Sequence, residues 1–237
     1  MKNRIYYTLI FCLLLLTGCF PSVKEDNGEL VTSAFVFDYY DALYIEDVFH
    51  VQLYQSDDFY VEIEAEEDLM DKIGLEVIDD VLHMKFKEKI YPNQPIKVNI
   101  AMPELARVDI KGACRMQTVN AFVTPHMVLH ADGASKVNLN IVADEIHSYS
   151  RGAAMVELSG STALLVKDMQ GAGVFHGVNL DAHSAKITLQ GVGKISVNVE
   201  ESLEASVNGV GKVEYTGSPK HLDKKISGLG KIVQIGT

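Results

Sequence analysis

Tryptophan is absent from the 237-residue chain, and only three residues are cysteine: Cys12, Cys19 and Cys114. No apolar stretch is long enough to span a bilayer as a helix. The longest, residues 5–16, has 12 residues and reaches about 18 Å as a helix, against the roughly 30 Å of a hydrocarbon core. Basic residues are outnumbered, 21 to 32, for a formal charge of −11. Such a balance argues against sequence-independent binding of nucleic acid, which requires phosphate neutralisation.

Signatures of nucleotide, metal and catalytic chemistry are also missing. Gly191-Val192-Gly193-Lys194 resembles a phosphate loop only in part. The position five before Gly193 is Thr188, and Ile195 stands where Ser or Thr would bind magnesium. Gly171-Ala172-Gly173-Val174-Phe175-His176 lacks the third glycine of a dinucleotide fingerprint. No cofactor is therefore implied. Of eight histidines, only His126 and His130 are closely spaced. On a strand they share a face, but Pro125 precedes them and no third ligand is evident, so no metal site is expected. Asp79-Asp80 and Glu200-Glu201 are adjacent carboxylates whose side chains would point to opposite faces of a strand. They read as turn residues rather than an acid–base pair. No enzyme signature remains.

What the sequence does contain is a seven-fold repeat. A polar residue, a glycine and small residues recur around Gly112, Gly133, Gly152, Gly171, Gly191, Gly209 and Gly228, with spacings of 21, 19, 19, 20, 18 and 19 residues. A period this steady specifies one unit stacked on itself. Strand-like alternation flanks each glycine, so the expected fold is all-β: a parallel β-solenoid of about seven rungs, with glycine at each sharp corner. Three columns are expected to face inward. The second residue before each glycine reads Ile110, Ala131, Ser150, Met169, Leu189, Val207 and Ile226. The residue just after it reads Ala113, Ala134, Ala153, Ala172, Val192, Val210 and Leu229. The fourth after it reads Met116, Val137, Val156, Phe175, Ile195, Val213 and Ile232. On this register Ala153→Trp should disrupt the core. Five of the seven rungs place a cation third after the glycine: Arg115, Lys136, Lys194, Lys212 and Lys231. The column reads either as solvated, edge-protecting charge or as a basic strip for an anionic glycan or lipid head group.

Before the repeats, residues 34–106 alternate as strands without the period. They include a hairpin candidate turning at Asp79-Asp80 and one short helical excursion near Leu69, Met70 and Ile73. Irregular β-structure that packs on and caps the solenoid (residues 107–237) is expected there.

The first 18 residues, with Lys2, Arg4 and an apolar core, read as a signal peptide. Their end, Leu16-Thr17-Gly18-Cys19, resembles the bacterial lipoprotein signal box. That resemblance implies cleavage before Cys19 and its acylation, hence a membrane anchor. Residues 19–33 then form a polar tether, in which Lys24-Glu25-Asp26 resembles the surface-export signal of Bacteroidota lipoproteins. Cys12 leaves with the signal, so Cys114 has no intrachain disulfide partner and reads as a small buried residue.

The glycine repeats, together with Met102-Pro103-Glu104-Leu105 and Tyr215-Thr216-Gly217-Ser218-Pro219, resemble the auto-transporter adhesin head, GIN domain family, over residues 34–237. The resemblance implies a β-helical fold and carries no catalytic residues. The function expected is an envelope-bound, outer-membrane adhesion or interaction module without catalysis. The alternative is a protein that binds or cleaves glycan in a groove along the stack. The partners left open are a glycan and an envelope or host protein.

Overall fold

The computed structural model describes residues 28–236. The signal segment and Cys19 lie outside the described residues. Fourteen strands join in one sheet, wound into a solenoid. Each rung is a strand, a glycine corner and a second strand. The corners belong to β8 (Arg107–Gly112), β10 (Phe122–Gly133), β11 (Lys136–Gly152), β12 (Met155–Thr216) and β13 (His221–Gly228). The second strands include β9 (Arg115–Thr118) and β14 (Lys231–Gln234), while β12 winds unbroken through three corners. The pairing is parallel and places Gly133 between Gly112 and Gly152, and Gly152 beside Gly171.

Glycine is required at these corners for two reasons. All seven have φ between 88° and 132°, where a side chain is strained. A Cβ would also collide with the rung below; at Gly191 it would lie 2.4 Å from the Gly171 carbonyl oxygen.

Inward-facing positions are set by two-residue alternation running through the corner. The columns two before and four after the glycine are buried as expected, from Ile110 and Met116 to Val207 and Val213, leaving only Ile226 exposed on the last rung. The column just after the glycine is not inward. Val192 is 59% and Leu229 81% exposed, and Ala113, Ala134, Ala153 and Ala172 are exposed as well. The inward position is one residue later: Cys114, Ser135 and Ala154 are buried there, followed by Gly173, Gly193, Gly211 and Gly230. A Cβ on Gly193 would meet Met169 Cε at 2.6 Å, one on Gly211 would meet Leu189 Cδ2 at 2.5 Å, and one on Gly230 would meet Val207 Cγ1 at 2.3 Å. Where the column before the corner is Met, Leu or Val, the column after it is therefore glycine. Where the former is Ala131 or Ser150, the latter is Ser135 or Ala154. The rung at Gly112 departs from this pattern, since Ile110 and Cys114 are both buried there.

The N-terminal region caps the stack with more order than its sequence suggests. β2 (Ala42–Asp47) and β3 (His50–Gln55) form a rung in register with β8 and β9. Asp47 occupies the corner column, opposite Gly112, at φ 76°; Asp tolerates this region better than most residues. Its Oδ2 accepts a hydrogen bond from the Phe86 amide at 2.9 Å. β6 (Val81–Phe86) and β7 (Lys97–Met102) lie below β2 and β3. The stacking order thus departs from chain order, with β2 and β3 held between two later rungs. Antiparallel strands finish this end. β5 (Ile73–Ile78) forms the expected hairpin with β6 through Asp79 and Asp80, both at positive φ. β4 (Tyr60–Glu66) pairs with β7, and β1 (Leu30–Val36) pairs with β4, so the ordered sheet begins inside the stretch read as a tether. The helical excursion is α1 (Glu67–Met70).

At the other end β13 is exposed throughout. Lys224 stands in a column that is elsewhere inward, and its Nζ caps Tyr215 with a 3.1 Å hydrogen bond and a 4.7 Å approach to the ring. A charge pointing into the open end deters a further strand from adding to it.

Ala154→Trp should cost roughly 3 kcal/mol or more through overpacking, whereas Ala153→Trp should stay within about 0.5 kcal/mol of the parent. Denaturant unfolding of the two variants separates the registers; equal losses would contradict the one described.

Candidate functional site

Strand alternation and axial register together set side chains into straight outward columns. The basic column is one of them. Lys136 pairs with Arg115 and Met155, and Lys212 with Lys231. It also continues where the sequence period fails: His50 lies beside Arg115, and Lys97 beside His50. Met155 and Val174 interrupt it. Carboxylates compensate much of its charge. Lys194 and Lys212 both bond Glu214, at 2.7 and 2.6 Å, and Lys97 bonds Glu64 at 2.6 Å. Glu214 is only 7% exposed, and the hydrogen bonds from Lys194 and Lys212 hold its carboxyl down at about 2. Bridging by Glu214 removes the repulsion that stacked lysines would otherwise suffer. Burial, then the charges of Arg115 and Lys97, lowers His50 from its ordinary value. His50, Arg115, Lys97, Glu62 and Glu64 share a groove of about 420 Å³.

The strands before the corners build a second face. Three residues before each corner stand Tyr44, Asp109, His130, Tyr149 and Asp168, in register on consecutive rungs, with His83 beside Tyr44 at the capped end. One residue before the corners stand Lys111, Asp132, Arg151 and Gln170. From Asp109 to Asp168 and from Lys111 to Gln170 these columns line a groove of about 440 Å³. Contacts along the first column fix its side chains. His130 Nδ1 is 2.6 Å from Asp109 Oδ1, and Arg107 Nε is 3.1 Å from Asp109 Oδ2. The His130 and Tyr149 rings pack at 5.0 Å, and Tyr149 Oη lies 3.4 Å from His147 Nδ1. Lys111 Nζ sits 5.1 Å from the Tyr44 ring. The sequence reading did not single out this face, although the same register would have shown it.

The remaining histidine pair divides. His126 turns to Glu145, at 3.8 Å, and His130 to Asp109. Cys114 is buried in the core, and burial pushes its thiol up to about 12. It is an unreactive packing residue.

Among the described residues, Lys167 is the most deeply buried charged side chain. Lys167 is 1% exposed; its Nζ donates to Ser150 Oγ at 2.6 Å and Ser148 Oγ at 3.1 Å, and lies 5.1 Å from the Phe175 ring. Desolvation brings it down to about 7, opposed by Asp168. These serines replace Leu129 and Ala131 of the preceding rung, making a polar pocket of one lysine's length in a mainly apolar core.

With its interior filled and its polar side chains standing in columns on its flanks, the stack is a parallel β-solenoid. The chain belongs to the family described as "Putative auto-transporter adhesin, head GIN domain", which matches residues 39–219. Among solved structures, a Bacteroides fragilis protein described as a putative adhesin superposes with a TM-score of 0.84 at 24% identity, over 87% of this chain and 97% of that one. A Parabacteroides distasonis protein described as a putative lipid binding protein gives 0.68 at 20% identity, over 89% and 98%. A Parabacteroides merdae protein described as a putative adhesin gives 0.65 at 19%, over 89% and 98%. No curated protein matches the sequence.

Because Lys167 is held below its ordinary 10.5, the fold disfavours its protonated form. The penalty is complete below about pH 7 and fades as pH climbs toward 10.5, so stability should rise by a few kcal/mol across that window. Lys167→Met should flatten the rise in thermal melts between pH 7 and 10. An unchanged slope in the variant would show that another group causes it.

Proposed function

We propose that the protein is a lipid-anchored module of the bacterial outer membrane that acts in adhesion at the cell surface, without catalysis. Membership of an adhesin family supports the role, and the Leu16-Thr17-Gly18-Cys19 box supports the anchor. The observation that carries the reading is the pair of outward columns on a stack whose interior is filled: ligands meet an extended flank rather than an enclosed chamber. Phe122, Phe175, Ile187 and Leu189 occupy the interior, which favours adhesion over storage of an acyl chain. The basic column of Arg115, Lys136, Lys194, Lys212 and Lys231 serves as an accessory contact for anionic surfaces. Its continuation to Lys97 across His50 favours that role, and the Glu214 and Glu64 bridges moderate its strength.

Expression in a Bacteroidota host tests the anchor and the address together. The full-length protein should incorporate labelled palmitate, fractionate with outer membranes and be removed from intact cells by added protease. Cys19→Ala should abolish the label and release the protein into the soluble fraction. A protein that resists protease until cells are lysed would contradict the surface role, and a Cys19→Ala variant that stays membrane-bound would contradict the anchor.

A further inference from the structure

We propose that the groove between the two columns before the corners is a binding site for an uncharged oligosaccharide. The proposal rests on the adhesion reading and names its ligand class.

Charge balance is the first argument. Within the groove Asp109, Asp132 and Asp168 face Lys111 and Arg151, and Arg107 bonds Asp109 from its edge. Three carboxylates therefore meet three fixed cations. A surface so balanced selects neither a polyanion nor a polycation, and on a chain of charge −11 it is a poor trap for anions. What it offers is a dense alternation of hydrogen-bond donors and acceptors. Sugar hydroxyls are the ligand groups that both donate and accept, and neighbouring hydroxyls on a pyranose bind carboxylates and guanidinium forks in pairs.

Availability is the second. Asp109 has both oxygens engaged, by His130 and Arg107, and the Tyr149 ring packs on His130. These residues form a fixed floor. Asp132, Arg151, Asp168 and Gln170 make no side-chain hydrogen bond or ion pair among the described residues, yet all four line the groove. A rigid floor with unengaged polar groups above it is pre-organised for a polar ligand.

Spacing is the third. Rungs repeat at about 4.8 Å, close to the length of one pyranose unit in an extended glycan, so successive sugars meet successive rungs. A groove of about 440 Å³ falls within the usual range for ligand sites and is lined from four rungs. The half-buried ring of Tyr149, which lines the groove, supplies apolar contact for a sugar ring. No bond is made or broken; the groove positions a ligand and leaves it unchanged.

The test is isothermal titration of the full-length protein in detergent with cellohexaose, maltohexaose and lacto-N-tetraose, and with a heparin hexasaccharide as the anionic comparison. At least one neutral sugar should bind, with an affinity nearly independent of salt. Arg151→Ala and Asp168→Asn should each weaken it about tenfold, the loss of one charge-assisted hydrogen bond, and Tyr149→Phe by less. Melting temperatures of Arg151→Ala and Tyr149→Phe should match the parent, because these side chains lie outside the core, whereas Asp168→Asn should melt slightly lower, since that carboxylate offsets part of the cost of burying Lys167. The proposal is overturned if no neutral sugar binds, if Arg151→Ala and Asp168→Asn bind as the parent does, or if heparin alone binds and is lost in Lys136→Glu/Lys231→Glu. Attachment of protein-coated beads to epithelial layers separates the two readings. Attachment that survives Arg151→Ala/Asp168→Asn overturns the sugar site and keeps adhesion, whereas parent protein that attaches to nothing overturns adhesion itself.

Discussion

Every rung from β8 onward rests on the close approach of its glycine corner to the next. A Cβ on Gly209 would stand 2.4 Å from the Gly191 carbonyl oxygen, and one on Gly133 would stand 2.6 Å from that of Gly112. A rung can settle this closely only if its corner lies directly over its neighbour's and carries no side chain. That condition fixes the axial register, and alternation on either side then carries the register outward. The outward columns are therefore consequences of the corner rather than independent designs. The inner columns obey the same constraint. A Cβ on Gly193 would meet Met169 of the neighbouring rung and one on Gly211 would meet Leu189, whereas the smaller Ala131 and Ser150 accompany the buried Ser135 and Ala154.

Stacking side chains at rung spacing raises an electrostatic problem, since like charges in one column repel. The protein meets it differently at each place. On the basic column Glu214 bridges Lys194 and Lys212 and is itself held in the charged form. On the groove face, acids, bases and aromatic rings follow one another, so each charge has neighbours of opposite sign or none. Inside the stack, Lys167 has two hydroxyls and no counter-ion, and the cost appears as its lowered proton affinity.

Much of this was legible in the sequence. The glycine spacing set the rungs, and the columns ending in Val207 and Val213 set the core. The column beginning at Ala113 was misread because small side chains suggested burial. Alternation gives the better rule, since even positions counted from the glycine face inward through the corner, which places Ala154 inside and Ala153 outside. The N-terminal rungs were hidden for two physical reasons. Asp47 replaces the corner glycine and reaches positive φ with help from its own side chain, and the chain lays β2 and β3 between rungs formed later. Periodicity along a chain cannot show an insertion out of stacking order. The groove escaped notice because Asp109, His130, Tyr149 and Asp168 share a column but change residue type from each rung to the next, so chemistry that emerges only from their juxtaposition has no motif.

Hydrogen exchange of the full-length protein, with and without a saturating neutral oligosaccharide, bears most directly on the claim that corner register builds a binding flank. Added protection should fall on the strands before the corners, at residues 107–111, 128–132, 147–151 and 166–170, and recur with the rung period. Protection confined to the strands after the corners, or to one rung alone, would contradict it.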